Sequence, residues 1–112
     1  MNTEALKGHL DLLLLSVLRA RPAHGYAIIE ELSRRSGGTF DLPEGTVYPA
    51  LHRLERAGLL SSRWSDETGR KRRIYEITKH GLQALGAYQS DWQRFAEGIN
   101  TVLREANGPW PA

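Results

Sequence analysis

Apolar residues recur at helical spacing in four segments of the chain and at alternating spacing in two. In the first, Leu6, Leu10, Leu13, Leu14, Val17 and Leu18 form one stripe, which predicts a helix from a cap at Asn2 or Thr3 to about Arg19. Leu12 and Leu15 widen that stripe beyond a single packing face. A helix apolar on more than one side lies between two partners, as a central core helix or against a second subunit as well. Arg21-Pro22 ends it, because a residue before proline avoids the helical region. A short helix from about Gly25 to Arg35 carries Ile28, Ile29 and Leu32 inward and stops at Gly37-Gly38. The stretch from Leu42 to Leu60 organises the rest. Read as a helix, it places Val47, Ala50, Leu51 and Leu54 on one face and Gly45, Pro49, His52 and Arg56 on the other. Thr46 and Arg53 fall on one flank and Tyr48 on the other. Pro43 suits a first helical turn. Pro49 predicts a kink or a tightened first turn, since the lost N–H and the ring both act on the Gly45 carbonyl. Gly58 ends the helix.

Two strands follow. Leu60, Ser62 and Trp64 alternate with Ser61, Arg63 and Ser65, and Arg73, Tyr75 and Ile77 alternate with Arg72, Ile74 and Glu76. Gly69 lies in the loop of this two-stranded hairpin. Thr78 caps a last helix running to about Arg104, in which Leu85, Tyr88, Trp92, Phe95, Ile99 and Val102 follow a 3, 4, 3, 4, 3 spacing flanked by Leu82 and Leu103. Such a seam needs a partner: the first helix, a second copy, or both. Asn107-Gly108-Pro109 ends the helix. Helix, helix, turn, helix, two strands, helix is the layout of a winged helix-turn-helix, with the third helix suited to the major groove and the hairpin wing to the backbone or minor groove. The expected fold is therefore mainly α with a small β-hairpin (α+β). Residues 1–78 make the winged helix-turn-helix, with 1–20 also contributing to a dimer interface; 79–105 make a C-terminal dimerisation helix and 106–112 a tail.

Composition changes this picture little. At 112 residues, 40% hydrophobic and 25% charged, the chain reads as one soluble domain with an appended helix. The absence of cysteine excludes disulfides, thiolate nucleophiles and cysteine-based zinc sites, and fits a cytoplasmic protein. Leu12 to Leu15 is too short to span a membrane, and the acid-bearing start MNTEALKGHLD lacks the basic region of a signal peptide. A net charge of +2 is mild. Its placement matters more: Arg70, Lys71, Arg72 and Arg73 stand in succession on the wing. Adjacent cations on a narrow ribbon repel one another, and bound phosphates relieve that repulsion. The outer face of the third helix combines small residues, hydrogen-bonding groups and positive charge, which suits close approach to a polyanion as well as simple solvation. Glu30 and Glu31 point about 100° apart on a helix and form no acid/base pair. His9, His24, His52 and His80 lack ligand spacing. No enzyme, catalytic residue, metal or cofactor is expected. A winged helix that binds protein would carry an apolar or acidic wing, and this wing is basic.

HGYAIIEEL from His24 to Leu32, EGTVYPALHRLERAGLL from Glu44 to Leu60 and GRKRRIYEITKHG from Gly69 to Gly81 resemble the PadR family of bacterial transcriptional regulators. The resemblance covers nearly the whole chain, and the middle motif is its most specific part. One long helix after the wing is similar to the short subfamily. The resemblance implies a homodimer that binds a partly palindromic operator in double-stranded DNA, usually as a repressor. Thr46, Tyr48, Pro49, His52 and Arg53 would belong to the recognition helix, and Tyr26 would hold the DNA backbone near the start of the second helix. Arg70, Lys71, Arg72 and Arg73 would lie on the wing, and Leu85, Tyr88, Trp92, Phe95, Ile99 and Val102 at the dimer interface. Tyr48 also sits at the edge of the buried face, so a core role stays open. His52 departs from the Lys or Arg common at its place, so which base it reads, if any, stays open. Some short members bind flat hydrophobic ligands between subunits, near an aromatic residue of the last helix. Trp92 stands in the matching region, which implies a planar aromatic effector, with a plain packing role as the alternative. About four phosphates neutralised per protomer give a dimer slope of log affinity against log salt of about −7.

Overall fold

Helix α1 (Leu10–Ala20) is the element the others pack on, in a computed structural model that describes residues 6, 9–67, 69–105 and 108–111. It touches α2 (Gly25–Arg35), α3 (Glu44–Arg56), β3 (Arg72–Ile77) and α4 (Lys79–Arg104). Leu14, Leu15 and Leu18 are fully buried among them, so the wide apolar stripe is largely consumed inside one chain. Arg21 is extended (φ −172°, ψ 159°) and ends α1 before Pro22, as the sequence predicts. At the other end His9 is the N-cap and makes no side-chain capping bond. The caps expected at Asn2 or Thr3 lie outside the described residues.

The sheet differs from the expected hairpin. Besides β2 (Leu60–Ser65) and β3, a two-residue strand β1 (Ala23–His24) pairs antiparallel with β3, in the order β1-β3-β2. Two residues are too few to show an alternation, which is why the pattern missed it. Across the other ladder Leu60 faces Ile77, Ser62 faces Tyr75 and Trp64 faces Arg73. The inner half of this face, Leu60 and Tyr75, is buried, and its outer half, Trp64 with Arg73, projects beyond the core.

Helix α3 buries Val47, Ala50, Leu51 and Leu54, the four residues of the predicted inner face. Pro43 is its N-cap rather than part of its first turn (φ −77°, ψ 157°). The Pro43 carbonyl accepts from both Thr46 N–H (3.0 Å) and Val47 N–H (3.2 Å), a tightened start. The helix then continues through Pro49. It ends in a Schellman turn: Gly58 takes φ +80°, Gly58 N–H donates to Glu55 O and Leu59 N–H to Leu54 O, each at 3.0 Å.

That turn is also where α4 is fixed. Thr78 N–H donates to Leu59 O (3.1 Å), its hydroxyl donates to Gly58 O (2.7 Å), and the same oxygen accepts from Gly81 N–H (3.0 Å) as the helix cap. Gly81 packs so closely that a Cβ would collide with the Leu59 carbonyl oxygen and lie 2.6 Å from Ile77 Cγ1. A backbone carbonyl cannot swing aside as a side chain can. Gly81→Ala should therefore cost about 3 kcal/mol. Thermal unfolding at fixed protein concentration should fall by roughly 10–20 °C. An unchanged Tm would mean that α4 can shift at this point freely.

Farther along α4 the heptad seam divides. Leu85, grouped in the sequence with the dimer interface, is a core residue of its own chain, 2% exposed, with no surface left for a partner. Tyr88 packs partly against the same core. Trp92 (41%), Phe95 (56%), Ile99 (42%) and Val102 (70%) remain exposed. Among the described residues no helix is long and apolar enough to cross a membrane.

Candidate nucleic-acid interface

The buried face of α3 fixes what the opposite face offers: Gly45, Pro49, His52, Arg53 and Arg56 are exposed, with Thr46 and Tyr48 half-buried at the edges. His52 and Tyr48 look into a concavity of about 720 Å³ between α3 and the sheet, closed by His24, Tyr26, Trp64 and the run Arg70 to Arg73. Seven of the expected DNA-contacting residues (Tyr26, Tyr48, His52, Arg70, Lys71, Arg72 and Arg73) thus meet in one groove. Thr46, Pro49 and Arg53 lie on the other flank of α3 and line a second depression, beside Leu6 and Leu10.

Tyr48 has two neighbours of different kinds. Its ring occupies the space where a Cβ on Gly25 would sit, with Oη 2.5 Å from that position. The glycine of His24-Gly25-Tyr26 thereby lets α3 close on the start of α2. Burial, and then the charge of Glu44, push the Tyr48 phenol above its ordinary pKa. Tyr48 is a packing strut whose edge also lines the groove.

The four wing cations are not equivalent. Arg70 and Lys71 are exposed at the tip, where Lys71 Nζ lies 5.3 Å from the centre of the Trp64 ring. Arg72 Nη1 lies 2.7 Å from His24 Nε2. Arg73 donates from Nε to Ser62 Oγ (2.8 Å) and from Nη2 to Glu55 Oε2 (3.4 Å), and its guanidinium stacks 5.4 Å from the Trp64 centre. Contacts of this cation–π kind contribute about 0.5–1 kcal/mol each at exposed sites. On the other side of α3, Arg53 is paired with Asp11 of α1.

His24 ties the sheet to α2. Its Nδ1 accepts from Ala27 N–H (3.2 Å) and caps that helix. Burial, then the charge of Arg72, lower its pKa below 6.5. A neutral imidazole has one acceptor nitrogen, for which the cap and Arg72 compete, and a protonated ring has none. As pH falls, the unfolded chain takes up this proton before the folded one. The contribution is therefore complete above about 6.5 and is lost as pH falls through the lower folded value. The parent Tm should drop between about pH 7.5 and 5.5, and His24→Asn, which can still cap but does not titrate, should flatten the drop. Identical pH profiles for the two proteins would remove His24 as the cause.

Residues 14–87 match the sequence model of the PadR-like transcriptional regulator family. This chain belongs to that family. It is 30% identical over 104 residues to an uncharacterized protein of Lysinibacillus sphaericus, covering 92% of this chain and 95% of the other. It is 45% identical over 62 residues to a transcriptional regulator of Mycobacterium tuberculosis, 55% of each chain. Among solved structures, a transcriptional regulator from Clostridium thermocellum superposes with a TM-score of 0.82 at 28% identity, over 88% of this chain and 96% of that one. A PadR family regulator from Eggerthella lenta does so with a TM-score of 0.79 at 34% identity, over 90% and 87%. The fold is thus a PadR winged helix with a long last helix, and the chain is a transcriptional regulator. The family match takes in both helix motifs and the wing and stops at residue 87, short of the exposed half of α4.

Four residues that shape the site of this PadR chain carry no site role in the sequence pattern. Trp64 reads only as a strand position, yet it is 57% exposed and faces Lys71 and Arg73. An outward tryptophan opposite a basic run was the available signal. His24, Glu55 and Asp11 act through partners 48, 18 and 42 residues away, which no local spacing records. Glu31 accepts from Arg34 and then Arg35, which hold its carboxyl at about 2.

Proposed function

We propose that this PadR chain represses transcription as a homodimer bound to a pseudo-palindromic operator in double-stranded DNA. The observation that carries the reading is the shared groove: a helix face with His52 and Tyr48 and a ribbon with Arg70 to Arg73 open onto the same concavity. A duplex seated there meets base-reading and phosphate-binding groups together. Thr46, Pro49 and Arg53 extend the helix contact on its other flank, and Tyr26 adds a hydroxyl at the start of α2. The exposed stripe Trp92, Phe95, Ile99 and Val102 supports the dimer, with the last three lining an apolar depression of about 470 Å³. Two copies joined there place their reading helices about one duplex turn apart, roughly 34 Å.

A planar aromatic effector at the dimer interface, beside Trp92, releases the operator in this reading. Trp92 sits 6.0 Å from Phe95 and 4.9 Å from His9, ring centre to ring centre, so a flat ligand there finds aromatic walls. Quenching of Trp92 fluorescence in a protein lacking the other two tryptophans is the corresponding measurement.

Selection from random duplexes tests the DNA reading. The parent should enrich a two-fold-related sequence. His52→Ala should change the base preferred at one position of each half-site, by roughly 1–3 kcal/mol, while leaving the wing's general attraction intact. Substitutions on the wing should weaken all sequences alike. Recovery of no enriched sequence by the parent would overturn the assignment.

A further inference from the structure

Arg53 reaches from α3 to Asp11 in the first turn of α1 in a two-pronged ion pair, Nη2 to Oδ1 at 2.6 Å and Nη1 to Oδ2 at 2.9 Å. Among the described residues this is the only salt bridge that joins two helices. The two partners are unequally exposed: the Arg53 side chain is 52% accessible and that of Asp11 only 22%. The hydrogen bonds that Arg53 donates to Asp11 also raise its pKa, which fits a guanidinium held by an anion. The outer face of α3 has no acid of its own between Glu44 and Glu55, so α1 supplies the one it meets.

The geometry of the pair matters for DNA. Two carboxylate oxygens accepting from Nη1 and Nη2 are what two oxygens of a phosphate would offer the same group. When Arg53 turns to a phosphate it exchanges one anion for another and leaves Asp11 unpaired. Such a cation adds little to binding that depends on backbone charge alone. We infer that Asp11 acts as an internal stand-in for phosphate: it withholds Arg53 from the DNA backbone and so restrains sequence-independent binding. This rests on the DNA-binding reading above. Arg70 and Lys71, with no such partner among the described residues, keep that attraction undiminished.

The test uses anisotropy of a labelled random-sequence duplex about three turns long, titrated with the full chain between roughly 50 and 200 mM salt. Asp11→Asn frees one cation per protomer and two per dimer, so the slope of log affinity against log salt should steepen by about 1.8. The gain in affinity should be about tenfold larger at the lower salt than at the higher. In an Arg53→Ala background the same Asp11→Asn change should have no effect, which separates release of Arg53 from the general loss of a negative charge. Asp11→Ser serves should the asparagine variant fail to fold, with circular dichroism as the check.

An unchanged slope for Asp11→Asn, weaker binding, or a gain that persists without Arg53 would overturn the inference and make the pair a structural brace. Arg70→Ala/Lys71→Ala, measured alongside, separates this from failure of the DNA reading. A parent whose binding depends on salt and on the wing, with Asp11→Asn indistinguishable from it, sinks the inference alone. A parent with no salt-dependent binding sinks both.

Discussion

Replacing Arg70 and Lys71 together by alanine should halve the salt dependence of DNA binding, from a slope of about −7 to about −3.5, and weaken every duplex alike. The pair carries this prediction because the other two wing cations have work inside the protein. Arg73 holds Ser62 and Glu55 and stacks on Trp64, and Arg72 meets His24. Removing those would disturb the ribbon as well as its charge. Arg70 and Lys71 stand exposed at the tip, and their loss leaves the ladder between β2 and β3 intact. Four phosphate contacts disappear from a dimer, which near 0.1 M salt amounts to roughly a thousandfold in affinity. Anisotropy titrations across a salt series give both numbers. A slope that stays near its parent value would show that the wing does not contact the backbone, and the groove would need another ligand.

The second large effect is expected at the far end of α4. Ile99→Asp should convert a dimer into a folded monomer. Trp92, Phe95, Ile99 and Val102 are exposed at successive spacings of 4, 3, 4 and 3 residues from Tyr88, so they form one continuous apolar strip. Burying each fully contributes about 1.5–3 kcal/mol, of which these part-covered side chains retain a share. A carboxylate in the middle of the strip must lose its water on association, at a cost of several kcal/mol. The chain itself should stay folded, because its core closes at Leu85 and Tyr88, before the strip begins. Sedimentation should show half the parent mass with unchanged circular dichroism, and operator affinity should fall by about a thousandfold or more as only half-sites are held. A parent already sedimenting at the mass of one chain would end the homodimer reading.

Which features could be read from sequence follows from how local their causes are. The inner face of α3 was legible because Val47, Ala50, Leu51 and Leu54 repeat at the period of the helix that buries them. The stop at Arg21 was legible because proline constrains its own neighbour. Strand β1 was not, since its pairing with Tyr75 and Ile74 lies across about fifty residues of chain and only two residues take part. Heptad spacing located the face of α4 but does not say whose surface covers each turn. Leu85 is covered by its own chain and Trp92 is still open. The basic wing was evident as a run of four. Its division into free and tied cations depends on the register that sets Trp64 against Arg73 and on Glu55 arriving from another element.

The junction of Gly58, Leu59, Thr78 and Gly81 gives the long last helix a mechanical role. It is clamped there by two bonds to the turn that ends α3 and by a glycine too tight to slide. Its 26 residues extend about 39 Å from that pivot. A tilt of only about 5° carries the opposite end through roughly 3 Å, close to the rise of one base step along a strand. In the homodimer proposed above, where a second copy would hold the outer turns, the same tilt would instead swing each winged domain through that distance, a change of register against the duplex.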